Sequence, residues 1–258
     1  MERETVKWLM SPQGRDVLHF VMAADHESHL RAARGDSTAT DPLRLAQATA
    51  NAFPDLDRTF AAAALTQVQL RRTASARLGP MAAELLYTRD GLEQASRTIV
   101  AQQRAARFRA ADACAVADLG CGIGLDSIAF SRAGMKVSAV ERDPVVAAIA
   151  RSNAAAVRVA ELMHVREGDF TSPDFLDEAM RDVDSIFIDP ARRDTTQRTD
   201  GRSQRTLDPH AWSPPWSWVV ALAERSQRLA AKVAPGIPHE LTPDGGCTTW
   251  TSVDGDLV

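Results

Sequence analysis

The sequence predicts an α/β protein in which a helical first part precedes an open parallel sheet. Three observations carry this. Cys114 to Leu119 is a short apolar run suited to a strand buried on both faces. Gly120, Gly122 and Gly124 follow at alternate positions, and Leu125-Asp126-Ser127-Ile128-Ala129-Phe130 then opens a helical pattern. Beyond it, strand-like and helix-like stretches alternate, as βαβ units do. A strand, a glycine turn and a helix bring backbone N–H groups against a ligand, since glycine has no Cβ to hold it away.

Residues 1 to about 110 read as helices. Ser11-Pro12 pairs an N-cap with a first-turn proline ahead of Val17, Leu18, Phe20 and Val21. Asp41-Pro42 repeats that start before Leu43, Leu45 and Ala46, a third helix runs from Asp57 through Phe60, Leu65, Val68 and Leu70, and a fourth from about Asp90 to Phe108. No strand alternation of useful length interrupts them. An all-α domain over residues 1–110, packed on a sheet domain over residues 111–258, is the expected organisation.

In the second half, Lys136 to Glu141 is a strand ending in an acid, 17 residues beyond Gly124, the distance one helix and one strand occupy. Val145 to Ala156 is helical, Leu162 to Phe170 is a third strand with its exit, and Asp184 to Pro190 a fourth. Ligands of open α/β sheets bind at the carboxyl ends of the strands, so Asp118, Glu141, Asp169 and Asp189 are expected on one rim. Each acid alone would suit a helix cap or a solvated loop; four in register with a glycine turn point to a ligand. Ser213-Pro214-Pro215-Trp216 reads as the start of a helix from Trp216 to Leu229, with Ser213 as N-cap, and the same loop could line a pocket. Leu229 to Gly236 reads as a fifth strand and turn, Thr248 to Val253 as a sixth strand, and Asp254-Gly255 as a hairpin turn.

Composition bounds the function. The 258 residues carry a net charge of −4, so no global field draws the chain to nucleic acid or anionic lipid. Locally, residues 71–109 hold eight arginines against three acids, a balance that would track a phosphate backbone or simply solvate helix faces. Cys114, Cys121 and Cys247 form no C-x-x-C pair and have no histidine at zinc-ligand spacing, which suits a reducing cytosol and argues against a metal centre. His26 and His29 are helix-spaced but lie among solvated charges. The first residues show no signal peptide and no membrane span, so a cytoplasmic protein is expected. No G-x-S-x-G elbow is present. A dinucleotide fingerprint would need G-x-G-x-x-G, and Leu125 stands where its third glycine belongs, which makes a nicotinamide-dependent oxidoreductase the runner-up. A non-catalytic nucleotide-binding module is a further alternative. Oligomeric state is not constrained.

Asp118-x-Gly120-x-Gly122-x-Gly124, followed by Glu141, Asp169 and Asp189-Pro190, resembles the ordered motifs of the class I S-adenosylmethionine-dependent methyltransferases over roughly residues 112–258. The resemblance implies a Rossmann-like sheet with S-adenosylmethionine as cofactor. It implies that Asp118 and the turn of Gly120, Cys121, Gly122 and Gly124 hold the methionine moiety and Glu141 the ribose hydroxyls. Asp169 would accept from the adenine amine, with Phe170 near the ring, and Asp189 and Pro190 would edge the catalytic pocket. A narrower resemblance rests on Asp189-Pro190-Ala191-Arg192-Arg193, Ser213-Pro214-Pro215-Trp216, Lys232 to Pro238, and Gly91-Leu92-Glu93-Gln94-Ala95. It is to a bacterial methyltransferase family with a helical N-terminal domain and a C-terminal THUMP-like domain. That likeness implies an RNA substrate. Between Asp189 and Ser213 the residues read as an arginine-containing loop, in which Arg192 and Arg193 could clamp a phosphate or simply be solvated, with Trp216 on the acceptor side. Asp189-Pro190-Ala191-Arg192 departs from the Asp-Pro-Pro-aromatic pattern of enzymes that methylate a base amine. The sheet of such enzymes closes with a seventh, antiparallel strand that has no counterpart before Val258, so an exposed sheet edge is expected.

Overall fold

A computed structural model describes residues 1–36, 41–190, 193–199, 202–205, 208–226, 228–233 and 236–257. The helical part begins with α1 (Arg3–Met10), α2 (Pro12–Ala33), α3 (Pro42–Ala52) and α4 (Arg58–Leu78). Three of these start where a capping residue stands: Ser11 accepts from the Gly14 N–H at 3.1 Å, Asp41 from Leu43 at 2.9 Å and Asp57 from Thr59 at 2.7 Å. Helix α1 has no side-chain cap, which is why its start leaves no signal in the sequence. The single helix expected from Asp90 to Phe108 is two, α5 (Arg89–Gln94) and α6 (Thr98–Ala110). Between them Ser96 turns inward, its hydroxyl donating to Asp126 at 2.9 Å.

The second half alternates as expected: β1 (Ala115–Leu119), α7 (Leu125–Arg132), β2 (Lys136–Glu141), α8 (Pro144–Ala156), β3 (Met163–Glu167), α9 (Pro173–Ala179) and β4 (Ser185–Ile188). Next come a hairpin of β5 (Arg193–Thr199) and β6 (Arg202–Arg205), where a loop was expected, then α10 (Trp216–Ala223) and β7 (Leu229–Ala231). The main sheet has the order β3-β2-β1-β4-β7, with every neighbouring pair parallel. Helix α10 stops at Ala223, short of the expected Leu229, because Leu229 pairs with Ile186 in β7. Its N-cap is Pro215, with no side-chain cap, so Ser213 does not start it. Thr248 to Val253 does not join the sheet. Only Ser252–Val253 (β8) pairs, antiparallel to Asp256–Leu257 (β9), across an Asp254-Gly255 turn with φ of +54° and +87°. That is the turn an Asp-Gly step predicts.

Side chains alternate along β1, placing Val116 and Asp118 on one face and Ala117 and Leu119 on the other. The first face joins an apolar core that runs from Val6, Leu9 and Val17 through Leu85 and Phe108 to Phe130 and Phe187. The second face packs Ala117, Leu119, Ile186 and Ile188 against Leu176 on α9 and Val219 and Leu222 on α10. Helical residues and sheet therefore share one core on the Asp118 side.

Asn153 on α8 fastens that join. Fully buried, its amide donates to the carbonyls of Leu86 at 3.1 Å and Ile123 at 2.9 Å, and its oxygen accepts from the Leu86 N–H at 2.8 Å. Asn153→Leu would leave three buried backbone groups unpaired. Urea unfolding is expected to show a loss of about 3 kcal/mol or more, each orphaned group costing about 1–3 kcal/mol.

Candidate functional site

The order of the parallel strands reverses between β1 and β4, the switch point at which open α/β sheets leave a crevice outside the carboxyl ends of their strands. Gly120, Gly122 and Gly124 stand at that point with φ of +86°, +56° and +90°. The N–H groups of Gly120 and Cys121 both donate to the Val140 carbonyl, Gly122 to Glu141 Oε2 at 3.0 Å and Gly124 to the Cys121 carbonyl at 2.9 Å. These donors are spent inside the fold, so the turn offers a ligand space rather than the N–H groups expected of it. A Cβ on Gly122 would meet no neighbouring atom within 4 Å. On Gly124 it would stand 2.8 Å from the Met163 methyl and 3.4 Å from Ala150, so this glycine lets α7 approach the α8–β3 layer. Cys121 is buried and packed in the core, and burial pushes its thiol well above the usual range.

Asp118 sits near the carboxyl end of β1 with no exposed surface. Its Oδ2 accepts from the Ser127 hydroxyl, while Oδ1 has no hydrogen-bond partner among the described residues. Burial, with Asp126 and Asp189 nearby, raises its pKa to about 7, against the opposing pull of Ser127 and Arg104. A buried carboxylate oxygen without a donor is costly unless something supplies one.

Glu141 closes the other side of the turn. Its Oε2 holds Gly122, and its Oε1 accepts from the Asp143 N–H at 2.8 Å just before α8. Burial pushes its pKa up, against those two N–H bonds. Each oxygen keeps a lone pair for a hydroxyl donor. Asp169 is exposed, and the Thr171 hydroxyl and N–H, both on Oδ1, hold it below the usual carboxylate range. The Phe170 edge comes within 3.7 Å of the Cβ position of Gly120, with the Trp218 ring 5.7 Å away.

Asp189 follows β4, and its carbonyl lies 3.5 Å from that same Gly120 position. Lys232, just past β7, donates to Asp189 Oδ2 at 2.7 Å and to the Gln94 carbonyl at 3.0 Å. The lysine thus ties the rim to the exit of α5. Sequence reasoning assigned Lys232 no role; the available signal was its place right after the apolar run Leu229–Ala231. Pro190 is buried beside Asp189. Arg192 lies outside the described residues, and Arg193 is described only as the first residue of β5. Trp216 is engaged in packing: its indole N–H donates to the Leu241 carbonyl at 2.8 Å and its ring meets Trp212 edge-on at 6.2 Å.

Most of the arginines between 71 and 109 are also occupied. Arg71 donates to the Leu85 carbonyl, Arg77 to those of Leu92 and Ala95, and Arg109 to that of Ala113. Arg72, Arg97 and Arg104 pair with Asp25, Asp254 and Asp126. These residues brace the helical part and do not form a free phosphate track.

No family model matches the chain. Over 176 residues it is 31% identical to proteins of two Mycobacterium tuberculosis strains (CDC 1551 / Oshkosh and H37Rv), each described as an uncharacterized S-adenosylmethionine-dependent methyltransferase. The match takes in 66% of this chain and 44% of each relative, so the chain spans less than half the length of the curated relatives it matches. The parallel sheet, with its glycine turn, is a Rossmann-like α/β sheet. A methyltransferase structure from Porphyromonas gingivalis W83 is similar at 28% identity, over 54% of this chain and 35% of its own, with a TM-score of 0.43. An RNA methyltransferase from Salinibacter ruber, in complex with S-adenosylhomocysteine, overlaps 60% of this chain and 85% of its own at 18% identity and a TM-score of 0.35. At such scores these overlaps are partial, and the Rossmann-like fold stands on the strand order and turn of this chain.

The residues of the rim fit S-adenosylmethionine. The orphaned Asp118 Oδ1 suits an ammonium donor, the space before Gly122 admits a ligand atom, and Glu141 suits a pair of hydroxyls. Among the described residues no helix is long and apolar enough to cross a membrane, and no group of three or more His, Cys, Asp or Glu is arranged to hold a metal ion.

Proposed function

We propose that the chain binds S-adenosylmethionine at this rim and transfers its methyl group to RNA. The observation that carries the reading is the unpartnered oxygen of buried Asp118 beside the open cradle at Gly122. When bound, the cofactor supplies a methyl group on a sulfonium, which is already a good leaving group. What the chain has to do is position and exclude water. Asp118 receives the cofactor ammonium, Glu141 the ribose hydroxyls, and Asp169 the adenine amine beside Phe170. Asp189, its Oδ2 held by Lys232, faces the acceptor and takes up the proton that an attacking N–H or O–H group loses. Support for RNA is the likeness in the motifs around Asp189, Ser213 and Lys232 to a family with a THUMP-like domain. Free cysteines, two of them exposed, support a cytoplasmic setting.

Calorimetric titration with S-adenosylmethionine, with NADH alongside, tests the cofactor. Micromolar binding of the first alone is expected, and Glu141→Ala should weaken it by about 1.5–3 kcal/mol, the value of hydrogen bonds to a charged group. Transfer of a tritiated methyl group into bulk RNA, rather than into protein or small molecules, tests the acceptor. Label found only in protein would overturn RNA and leave methyl transfer standing.

A further inference from the structure

Arg104 lies on α6 in the helical half, yet it reaches under the cofactor rim. It pairs with Asp126 in the first turn of α7, and its guanidinium sits 4.6 Å above the ring of Phe187, the β4 residue in register with Asp118. Ser96, from the break between α5 and α6, donates to the other oxygen of Asp126 at 2.9 Å. Both members of the ion pair are nearly buried, with 15% and 12% of their side chains exposed. Asp118, its Oδ1 unpartnered, stands one strand over from that ring, and the charges of both Asp126 and Arg104 act on it. We propose that Arg104 is a positioning residue of the cofactor site: by neutralising Asp126 it keeps Asp118 able to hold a charge, so the helical half is a working part of cofactor binding. The proposal rests on the reading that Asp118 receives the cofactor ammonium.

The charges around Asp118 come from every element packed on it. Asp126 on α7 and Asp189 after β4 disfavour its ionisation, and Arg104 on α6 favours it. Glu141 at the end of β2, like Asp118, pushes up the thiol of Cys121. Without Arg104 the negative charge of Asp126 would act on Asp118 uncompensated, at short range and away from water, where charges interact most strongly. The half-ionisation point of Asp118 would then lie at higher pH than in the wild type.

The test is S-adenosylmethionine affinity by calorimetry between pH 5.5 and 9. With Asp118 titrating at about 7, wild-type affinity should be about tenfold below its plateau at pH 6. Arg104→Met, which keeps an apolar cover over Phe187, should move the half-point to higher pH. Asp126→Asn should move it lower, and Arg104→Lys should restore the wild-type profile. Shifts of opposite sign are something a purely structural role would not produce, since damaged packing weakens binding alike at every pH. If Arg104→Met fails to fold, the Asp126→Asn shift still decides. Half-points that coincide in wild type and Asp126→Asn, with binding intact, overturn the proposal alone. Absence of binding by folded wild type at every pH overturns the cofactor reading as well.

Discussion

Gly122→Val is expected to abolish S-adenosylmethionine binding while leaving a folded protein. No protein atom other than its chain neighbours lies within 4 Å of the new Cβ, so the two methyl groups enter the crevice and not the core. The fold bears only the backbone cost. At φ of +56° a β-branched residue is strained by roughly 1–2 kcal/mol, which a shared core of this extent tolerates. Calorimetry should show no heat of binding, and circular dichroism should show an unchanged spectrum with a modestly lowered melting temperature. Gly122→Ala, with a single added carbon, should fall between. A valine variant that binds within threefold of wild type would remove the crevice as the cofactor site.

Asp118→Asn is expected to make the free protein more stable and a poorer binder at once. The folded-state pKa of Asp118 is raised from its ordinary 3.8 to about 7 by burial first and by Asp126 and Asp189 after it. Between those values the unfolded chain has released a proton that the folded chain retains, so stability falls as pH rises from about 4 to about 7 and then levels off. At about 1.4 kcal/mol per unit, the loss on the plateau is on the order of 4 kcal/mol. Asparagine is neutral at every pH and still offers an oxygen to Ser127. Denaturant unfolding at pH 8 should therefore favour the variant by about 2–4 kcal/mol, with the difference vanishing near pH 4. Affinity for S-adenosylmethionine should drop tenfold to a hundredfold at pH 8, where the wild-type group is charged. A variant no more stable than wild type at pH 8 would mean that the buried carboxylate is not under the stress described.

Much of the sheet was legible because its central strands β1 and β4 are buried on both faces. β1 read as an apolar run, the glycines marked the turn, and an acid stood at or near the end of each of the first four strands. Thr248 to Val253 misled for the opposite reason: β-branched residues alternate there, but with little apolar surface to bury only Ser252–Val253 pair, in a small hairpin. The break at Ser96 was invisible because its cause, Asp126, is 30 residues away. Lys232 escaped similarly, its partners Asp189 and Gln94 lying 43 and 138 positions distant. Arg104 was visible only as one charge among eight, and counting cannot tell a solvated arginine from one held against Asp126. Strands and turns are local and readable; polar contacts across the core are not.

The join between the helical half and the sheet also dictates when the protein can take shape during synthesis. Helices α1 to α6 leave the ribosome first, yet Asn153, which satisfies Leu86, is made 67 residues later. The Glu167 that receives Arg3 follows that arginine by 164. Until α8 and β3 emerge, apolar faces carrying Val6, Leu9 and Val17 have no sheet to meet. Contacts this distant along the chain slow folding, so the nascent helices must wait with part of their core uncovered. The glycine turn acquires its final setting only when Asn153 docks on Ile123. Cofactor competence is therefore tied on the folding clock to the arrival of α8, which also joins the two halves.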